Sequence, residues 1–436
     1  MTAVTYTLGV LLFVVGVAVS VGLHELGHLI PGKAFGVKVT QYFVGFGRTL
    51  WSRRRGETEY GVKAIPLGGY VKLIGMLPPT SGDESGKVRS SNTGVLSQMV
   101  SDARRAESEL IEPGDENRLF YRLPWWKKVV VMGSGVATNL VLAFVLFAIV
   151  FMGHGVRTPT TTVDAVSKCV VAATSQDQAP RGCTSADPVS PAVRAGLRPG
   201  DTIVAFNGRK VSGWEDLRTA IQSNADGAAT IVVERDGRRL TTHTNTTVSP
   251  RPDAQNTQQL TRTGFLGVTP TLALERQGPG FVVTTMASGT WETIKALGAM
   301  PVKLYHVARA AIGLEKRDVN GPMSVVGAGR VAGELTSQEA VPPSDRFFSV
   351  LLLIAGLNLF LGLLNLVPLL PLDGGHIAGA LYEAARRGVA RLLRRPDPGF
   401  VDVAKLLPVG YVMAGVILVA SIVLIYADIV APISLS

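Results

Sequence analysis

The stretch Val21 to Ile30, VGLHELGHLI, sets His24 and His28 four residues apart with Glu25 directly after the first histidine. On a helix, positions i and i+4 lie one turn apart on the same face, so both imidazoles can share one metal ion. A carboxylate next to the first ligand reaches a metal-associated water and serves as general base, the chemistry of a zinc peptidase with Glu25 in that role. A catalytic zinc takes a third protein ligand. The stretch NLVPLLPLDGGH, Asn365 to His376, offers Asp373 as the acidic residue of a long apolar run. Both elements sit where ionisable groups are costly. A charge in a membrane span is unfavourable by about 2.5–3.5 kcal/mol even on lenient insertion scales, and shared ligation of a metal offsets that cost.

The elements that must position these groups are membrane spans. Of 436 residues, 47% are hydrophobic and 17% charged, with mean hydropathy +0.28, the balance of a polytopic membrane protein with soluble parts. Four apolar runs are long enough to cross: about Thr5 to Leu23, Val129 to Met152, Phe347 to Leu370 and Val409 to Ile429. The first lacks basic flanking residues on its amino side and reads as a retained span, not a signal peptide. Lys33, Lys38, Arg48 and Arg53 to Arg55 follow it, Arg122, Lys127 and Lys128 precede the second, and Arg386, Arg387, Arg391, Arg394 and Arg395 lie between the third and fourth. The positive-inside rule then makes residues 31–126 and 380–407 cytoplasmic, with the amino terminus and 154–345 outside. His24, His28 and Asp373 all fall at the cytoplasmic ends of their spans. The same rule accounts for the net charge of +10 without nucleic acid. Trp125 and Trp126 beside Lys127 and Lys128 read as an interfacial anchor, and His154, His243 and His306 as isolated structural histidines.

Between the second and third spans, SPAVRAGLRPGDTIVAFNG combines a loop, Ala195-Gly196-Leu197, with a short apolar strand closed by an Asn207-Gly208 turn. WEDLRTAIQ has helical spacing, and ATIVVERDGRRLT reads as two strands around Asp236-Gly237. The stretch from about Thr161 to Thr247 resembles a PDZ domain of envelope proteases. Residues 167–189 look like an insertion with Cys169 and Cys183 at its ends, positioned for a disulfide outside the cell or left as two thiols. In the first cytoplasmic region, GETEYGVKAIPLGGYVKLIGM reads as two strands around Pro66 to Gly69, and PPTSGDESGKVRSSNTG as a polar stretch.

HExxH in the first span with NxxPxxPLDGG in a late one resembles the site-2 protease family of intramembrane metalloproteases. The intervening PDZ-like block is similar to its bacterial RseP-type branch, and the pattern lies nearest to actinobacterial members. GFGRTLWSRRRGETEYGVKAIPLGGYVKLIGM resembles the family's membrane-associated β-hairpin, FYRLPWWKKVVVMGSGVATN the entry of its second span, and GPMSVVGAGR the stretch before its third. GSGVATN and Arg48 depart from the pattern, which commonly has a Gly-Pro pair and a Pro at those places. The resemblance implies a polytopic α-helical membrane protein with four transmembrane helices, a cytoplasmic-side hairpin and an extracytoplasmic α/β PDZ-like domain. It implies one Zn2+ per chain on His24, His28 and Asp373, with Glu25 as base. It also implies cleavage of single-span membrane proteins, such as anti-sigma factors, within the bilayer.

Asn365, Pro368 and Pro371 would shape an unwound segment that holds the substrate extended, although Asn365 also suits a helix contact. Gly68 and Gly69 would let a strand edge pair with substrate by β-addition, or form an ordinary turn. Ala195, Gly196 and Leu197 would either capture a terminal carboxylate or belong to a domain that excludes bulky ectodomains. The expected division is 1–30 (first helix with HELGH), 31–126 (hairpin region), 127–153 (second helix) and 154–285 (PDZ-like domain). An amphipathic segment, 286–345, a third helix with LDGGH, 346–379, a basic loop, 380–407, and a fourth helix, 408–436, complete it. A catalytically dead scaffold would be free to lose HExxH or LDGG, and a metal transporter would spread polar residues through its spans. The sequence does neither.

Overall fold

A computed structural model describes residues 2–78, 95–172, 182–252, 260–318 and 320–433. Most of the polar stretch Pro78 to Gly94 and the middle of the cysteine insertion, 173–181, lie outside them. The chain divides into two compact units, Met1–His154 with Gly278–Ser436, and Gly155–Gln277.

The first unit begins with α1 (Thr2–Ala34), followed by β1 (Val39–Arg55), β2 (Thr58–Leu73), α2 (Val95–Ser108) and α3 (Trp125–Ala148), which continues as a π-helical turn, Ile149–His154. The tight turn of the hairpin lies at Gly56 and Glu57, where Arg55 faces Thr58, and not at Pro66 to Gly69 as expected. Gly45 and Gly47, at φ +93° and +84°, bend β1 between its halves. Its first half therefore meets β2 on both sides: Tyr42 lies opposite Tyr60 and also opposite Val71. Pro66 to Gly69 is the place where β2 crosses from one partner segment to the other. Residues 69–73 pair only with 39–44 and form one edge of the sheet. The sheet base is held by Lys38, whose ammonium lies 2.6 Å from both Glu112 and Asp115, and by Arg118 on Glu57.

The second unit holds β3 (Val156–Val166), α4 (Pro191–Arg194), β4 (Thr202–Phe206), β5 (Arg209–Lys210), α5 (Trp214–Ser223), β6 (Ala228–Arg235), β7 (Arg238–Asn245), β8 (Thr247–Pro252), β9 (Leu260–Phe265) and β10 (Val268–Glu275). Its main sheet runs β10-β3-β4-β6-β7, with β5 on β4, and β8 pairs with β9. Asn207-Gly208 and Asp236-Gly237 have positive φ at both positions, the geometry that joins two twisted antiparallel strands through two residues. Alternate side chains, among them Ile203, Phe206, Leu217, Ile221, Ile231 and Val233, fill the core under α5. Cys169 and Cys183 are joined by a disulfide.

The chain then returns to the first unit through α6 (Pro279–Gly298), α7 (Met300–Ala311), α8 (Val325–Ser337), α9 (Pro343–Asn365), α10 (Asp373–Leu392) and α11 (Leu407–Val430). Among the described residues, four helices are long and apolar enough to cross a membrane, over Ala3–Ala34, Trp125–His154, Pro343–Asn365 and Val403–Val430. Two expectations change here. Residues 286–345 do not form one amphipathic segment: they run through α6, α7 and α8 into the start of α9, and α8 buries Ala328 and Ala332 in the cluster built on Phe13, Val17, Val350 and Ile354. The helix expected over 346–379 is two, because α9 stops at Asn365 and α10 starts at Asp373. Prolines 368 and 371 cannot donate backbone hydrogen bonds, and two of them so close together disfavour continuing the helix.

Candidate active site

The local chemistry of α1 places His24, Glu25 and His28 within two adjacent turns. α10 supplies Asp373 as its first residue, where a carboxylate also gains from the positive end of the helix dipole. Gly374 and Gly375 explain why the helix can start there. A side chain on Gly374 would overlap the Val367 carbonyl, and one on Gly375 would come within 2.8 Å of the Leu369 and Leu370 backbone. The pair thus opens the first turn of α10 so that residues 366–372 can fold against it, and is not a helix-ending cap.

Three atoms converge at this corner. His24 Nε2 and His28 Nε2 are 3.2 Å apart, and each lies 3.3 Å from Asp373 Oδ2. A tetrahedral zinc bonded at about 2.0–2.1 Å separates its donors by about 3.3–3.4 Å, so the triangle has the edge length of one face of such a site. Mutual hydrogen bonding explains it less well. Asp373 Oδ2 is buried and makes no hydrogen bond of normal geometry among the described residues, although both nitrogens are near. His28 Nδ1 lies 2.8 Å from the Val131 carbonyl and donates to it, which leaves the Nε2 lone pair directed at the shared point. The donor set and its tautomer fit a zinc ion.

Around the triangle stand several groups named from the sequence. Asn365 Nδ2 is 3.4 Å from His24 Nε2. A Cβ on Gly69 would lie 3.0 Å from Glu25 Cγ and 2.9 Å from Val21, so the sheet edge passes directly beside Glu25. Gly68, at φ +93°, packs over Phe46 instead. Pro368 and Pro371 are exposed in the segment between α9 and α10.

Ala195, Gly196 and Leu197 lie elsewhere, in the second unit, and their geometry does not suit capture of a carboxylate. Their backbone N–H groups donate to Pro191, Val193 and Ala192, closing α4 with Gly196 at φ +68°. The Gly196 carbonyl in turn accepts from Arg235, which also grips the buried Asp201. A carboxylate site needs free N–H groups, and this loop has spent its own on a helix cap.

Other groups were not read correctly from sequence. Lys128, taken as part of an interfacial anchor, is buried and paired at 2.7 Å with the buried Glu383 of α10. Lys127 lies over the rings of Phe35 and Trp126. His154 pairs with Asp345 and His306 with Glu315. The Val131 carbonyl and the neighbouring Ser134 and Gly135 carry no one-dimensional signal beyond the Gly-rich run in which they sit.

The family model described as Peptidase family M50 matches residues 12–393. The zinc metalloprotease Rip1 of Mycobacterium tuberculosis is 35% identical over 445 residues, covering 99% of each chain. Rip1 of Mycolicibacterium smegmatis is 34% identical, again over 99% of each. The metalloprotease MmpA of Caulobacter vibrioides is 30% identical over 86% of each. Matched over nearly its whole length, and carrying a donor triangle of zinc dimensions beside a glutamate, the chain belongs to the M50, or site-2 protease, family and is a zinc metalloprotease.

Proposed function

We propose that this zinc metalloprotease cleaves single-span membrane proteins within the bilayer, near its cytoplasmic side, and that His24, His28 and Asp373 hold one zinc ion. The observation that carries this reading is the triangle of 3.2 to 3.3 Å between the three donor atoms, set beside Glu25 and the sheet edge of residues 69–73. When bound, zinc supplies Lewis acidity that polarises the scissile carbonyl and makes water acidic enough to be activated at neutral pH. The chain's own groups do the rest. A Glu25 carboxylate oxygen takes the proton of the attacking water and hands it to the leaving amide nitrogen. His28 is kept in one tautomer by the Val131 carbonyl. Asn365 offers an amide N–H beside the ligands, suited to a substrate carbonyl.

A transmembrane helix hides its amides in its own hydrogen bonds, so the substrate has to unwind before its peptide bonds can be attacked. The edge segment 69–73 offers replacement backbone partners, and Gly69 lets that edge lie against α1 beside Glu25. The sheet thus serves as the family's membrane-associated hairpin. The second unit, PDZ-like in its strand and helix order, serves as an extracytoplasmic filter against bulky ectodomains. The spent N–H groups of residues 195–197 favour that role over capture of a carboxyl end. Suitable substrates are anti-sigma factors already trimmed outside the membrane.

The test is the purified chain in detergent with bound zinc measured and a transmembrane substrate offered in trimmed and untrimmed forms. Zinc content with hydrolysis of the trimmed form inside its span supports the reading. Cleavage confined to soluble loops would refute it.

A further inference from the structure

The helix α3 contributes no ligand, yet it comes closer to the donor triangle than any of the sequence signals indicated. A Cβ on Gly27 of α1 would lie 2.7 Å from Thr138 Oγ1, 2.8 Å from the Ser134 carbonyl and 2.9 Å from Gly135 Cα, all on α3. The two helices therefore meet backbone to backbone at a pair of glycines. Ser134 Oγ lies 2.7 Å from the Gly27 carbonyl and 2.9 Å from that of Val131, pinning the same contact. On the α3 side, the three atoms nearest to a Cβ on Gly135 are Nε2, Cε1 and Cδ2 of His28, and a methyl group would overlap them. One turn earlier on the same face, the Val131 carbonyl receives His28 Nδ1. The imidazole is thus held at one nitrogen by an α3 carbonyl while its other nitrogen occupies the space left by a missing α3 side chain.

We propose that Gly135 is a positioning residue for the metal site: the notch it leaves in α3 is what allows His28 to present Nε2 to the ion while Nδ1 stays on the Val131 carbonyl. This inference rests on the reading of His28 as a zinc ligand. It explains why the contact is built from Gly27 and Gly135 together, since a side chain on either would hold the helices too far apart for a 2.8 Å bond from His28 to Val131. A built-in control stands two residues away. Gly133 is on the same helix, and a Cβ there would meet nothing within 4 Å.

The full-length chain in detergent is titrated with zinc against a chromogenic chelator, as wild type, His28→Ala, Gly135→Ala and Gly133→Ala, and the melting temperature of each metal-free form is recorded. Gly135→Ala should weaken zinc binding about 10- to 100-fold, the effect of disturbing a partner that orients a ligand. Gly133→Ala should leave it unchanged. In the metal-free protein, adding Gly135→Ala to His28→Ala should not lower the melting temperature, because the ring it overlaps is gone and alanine is the better helix former. That double variant keeps the test alive if Gly135→Ala alone does not fold. Wild-type zinc affinity in Gly135→Ala, with affinity lost in His28→Ala, overturns the notch and leaves the ligand assignment standing. An equal loss of stability from Gly135→Ala in both backgrounds also overturns it, by showing a general packing role. Unchanged affinity in His28→Ala removes the ligand assignment and the notch with it.

Discussion

The corner formed by α1, α3 and α10 and the loop 195–197 of the second unit were both candidates for binding, and they differ in how their polar groups are used. At the corner, Asp373 Oδ2 is buried and completes no hydrogen bond of normal geometry among the described residues, although two imidazole nitrogens stand 3.3 Å from it and 3.2 Å from each other. In the loop, every backbone N–H already has a carbonyl partner and the turn is braced by Arg235 and Asp201. Buried polar groups that stay unpaired are costly, so a set left incomplete by the chain itself points to a ligand. A set that closes on itself points to scaffold. The same sequence cue, a short motif with Gly and polar residues, therefore leads to opposite roles once the donors and acceptors are counted.

The sharpest way to break this contrast is Glu25→Gln. If the corner is the reacting site, the amide cannot accept the water's proton, and peptide hydrolysis should fall by about 10²- to 10⁴-fold. Bound zinc should remain, because both imidazoles and Asp373 are untouched. Turnover near the wild-type value with zinc present would remove Glu25 from the chemistry.

Asp373→Ala comes next. It takes one vertex from the triangle, so zinc affinity should drop by at least the about 10- to 100-fold typical of losing an outer partner, and activity with it. Full zinc occupancy in this variant, measured by metal analysis after chelator challenge, would make the triangle a hydrogen-bonded cluster instead of a metal site.

On the scaffold side the effects are on stability and not on catalysis. The Cys169–Cys183 bond spans a sequence separation of 14, and in the chain-entropy model a loop of that size contributes about 3 kcal/mol. Cys169→Ser with Cys183→Ser should speed hydrogen exchange in β3 and β4 while zinc content and cleavage of trimmed substrate stay level.

The smallest expected change is at Asp201. Burial pushes its carboxyl up, but the Arg235 guanidinium and the Arg198 N–H outweigh that and hold it below the usual aspartate range. A depressed folded-state value means the contribution is fully present above the ordinary aspartate pKa of about 3.9 and is lost as pH falls through the lower, folded value. Asp201→Asn should cost about 1–3 kcal/mol at neutral pH and flatten that acid dependence. Denaturant melts of the second unit at neutral and acidic pH would show it. Loss of proteolysis in this variant, with the domain folded, would mean that the second unit handles substrate after all.

The chemistry of the corner was legible from the sequence because it depends on local spacing. His24 and His28 share a face through helical periodicity alone, Glu25 follows from adjacency, and Asp373 stands out as a charge beside an apolar run. The four spans were legible for a similar reason: their length and hydropathy are properties of contiguous residues. The hairpin was only half legible. Glycines at 45, 47, 56 and 68 mark places where the chain can turn, but which of them closes the hairpin depends on pairing between residues far apart. The break after Asn365 was signalled by Pro368 and Pro371, whereas the immediate restart of a helix at Asp373 was hidden by two glycines that would ordinarily end one.

Sequence by itself determined the candidate donor residues, the glutamate beside them, the apolar spans and the two-residue turns of the second unit, since each rests on neighbours along the chain. Only the tertiary structure decided that Lys128 is buried on Glu383 and not displayed at an interface, and that the 195–197 loop is closed. It also decided that α3, which supplies none of the three donor atoms, sets its Val131 carbonyl and Gly135 against His28. Those features depend on contacts between separate elements: a backbone carbonyl leaves no mark in residue identity, and a glycine shows that a side chain is missing without showing which group fills the space.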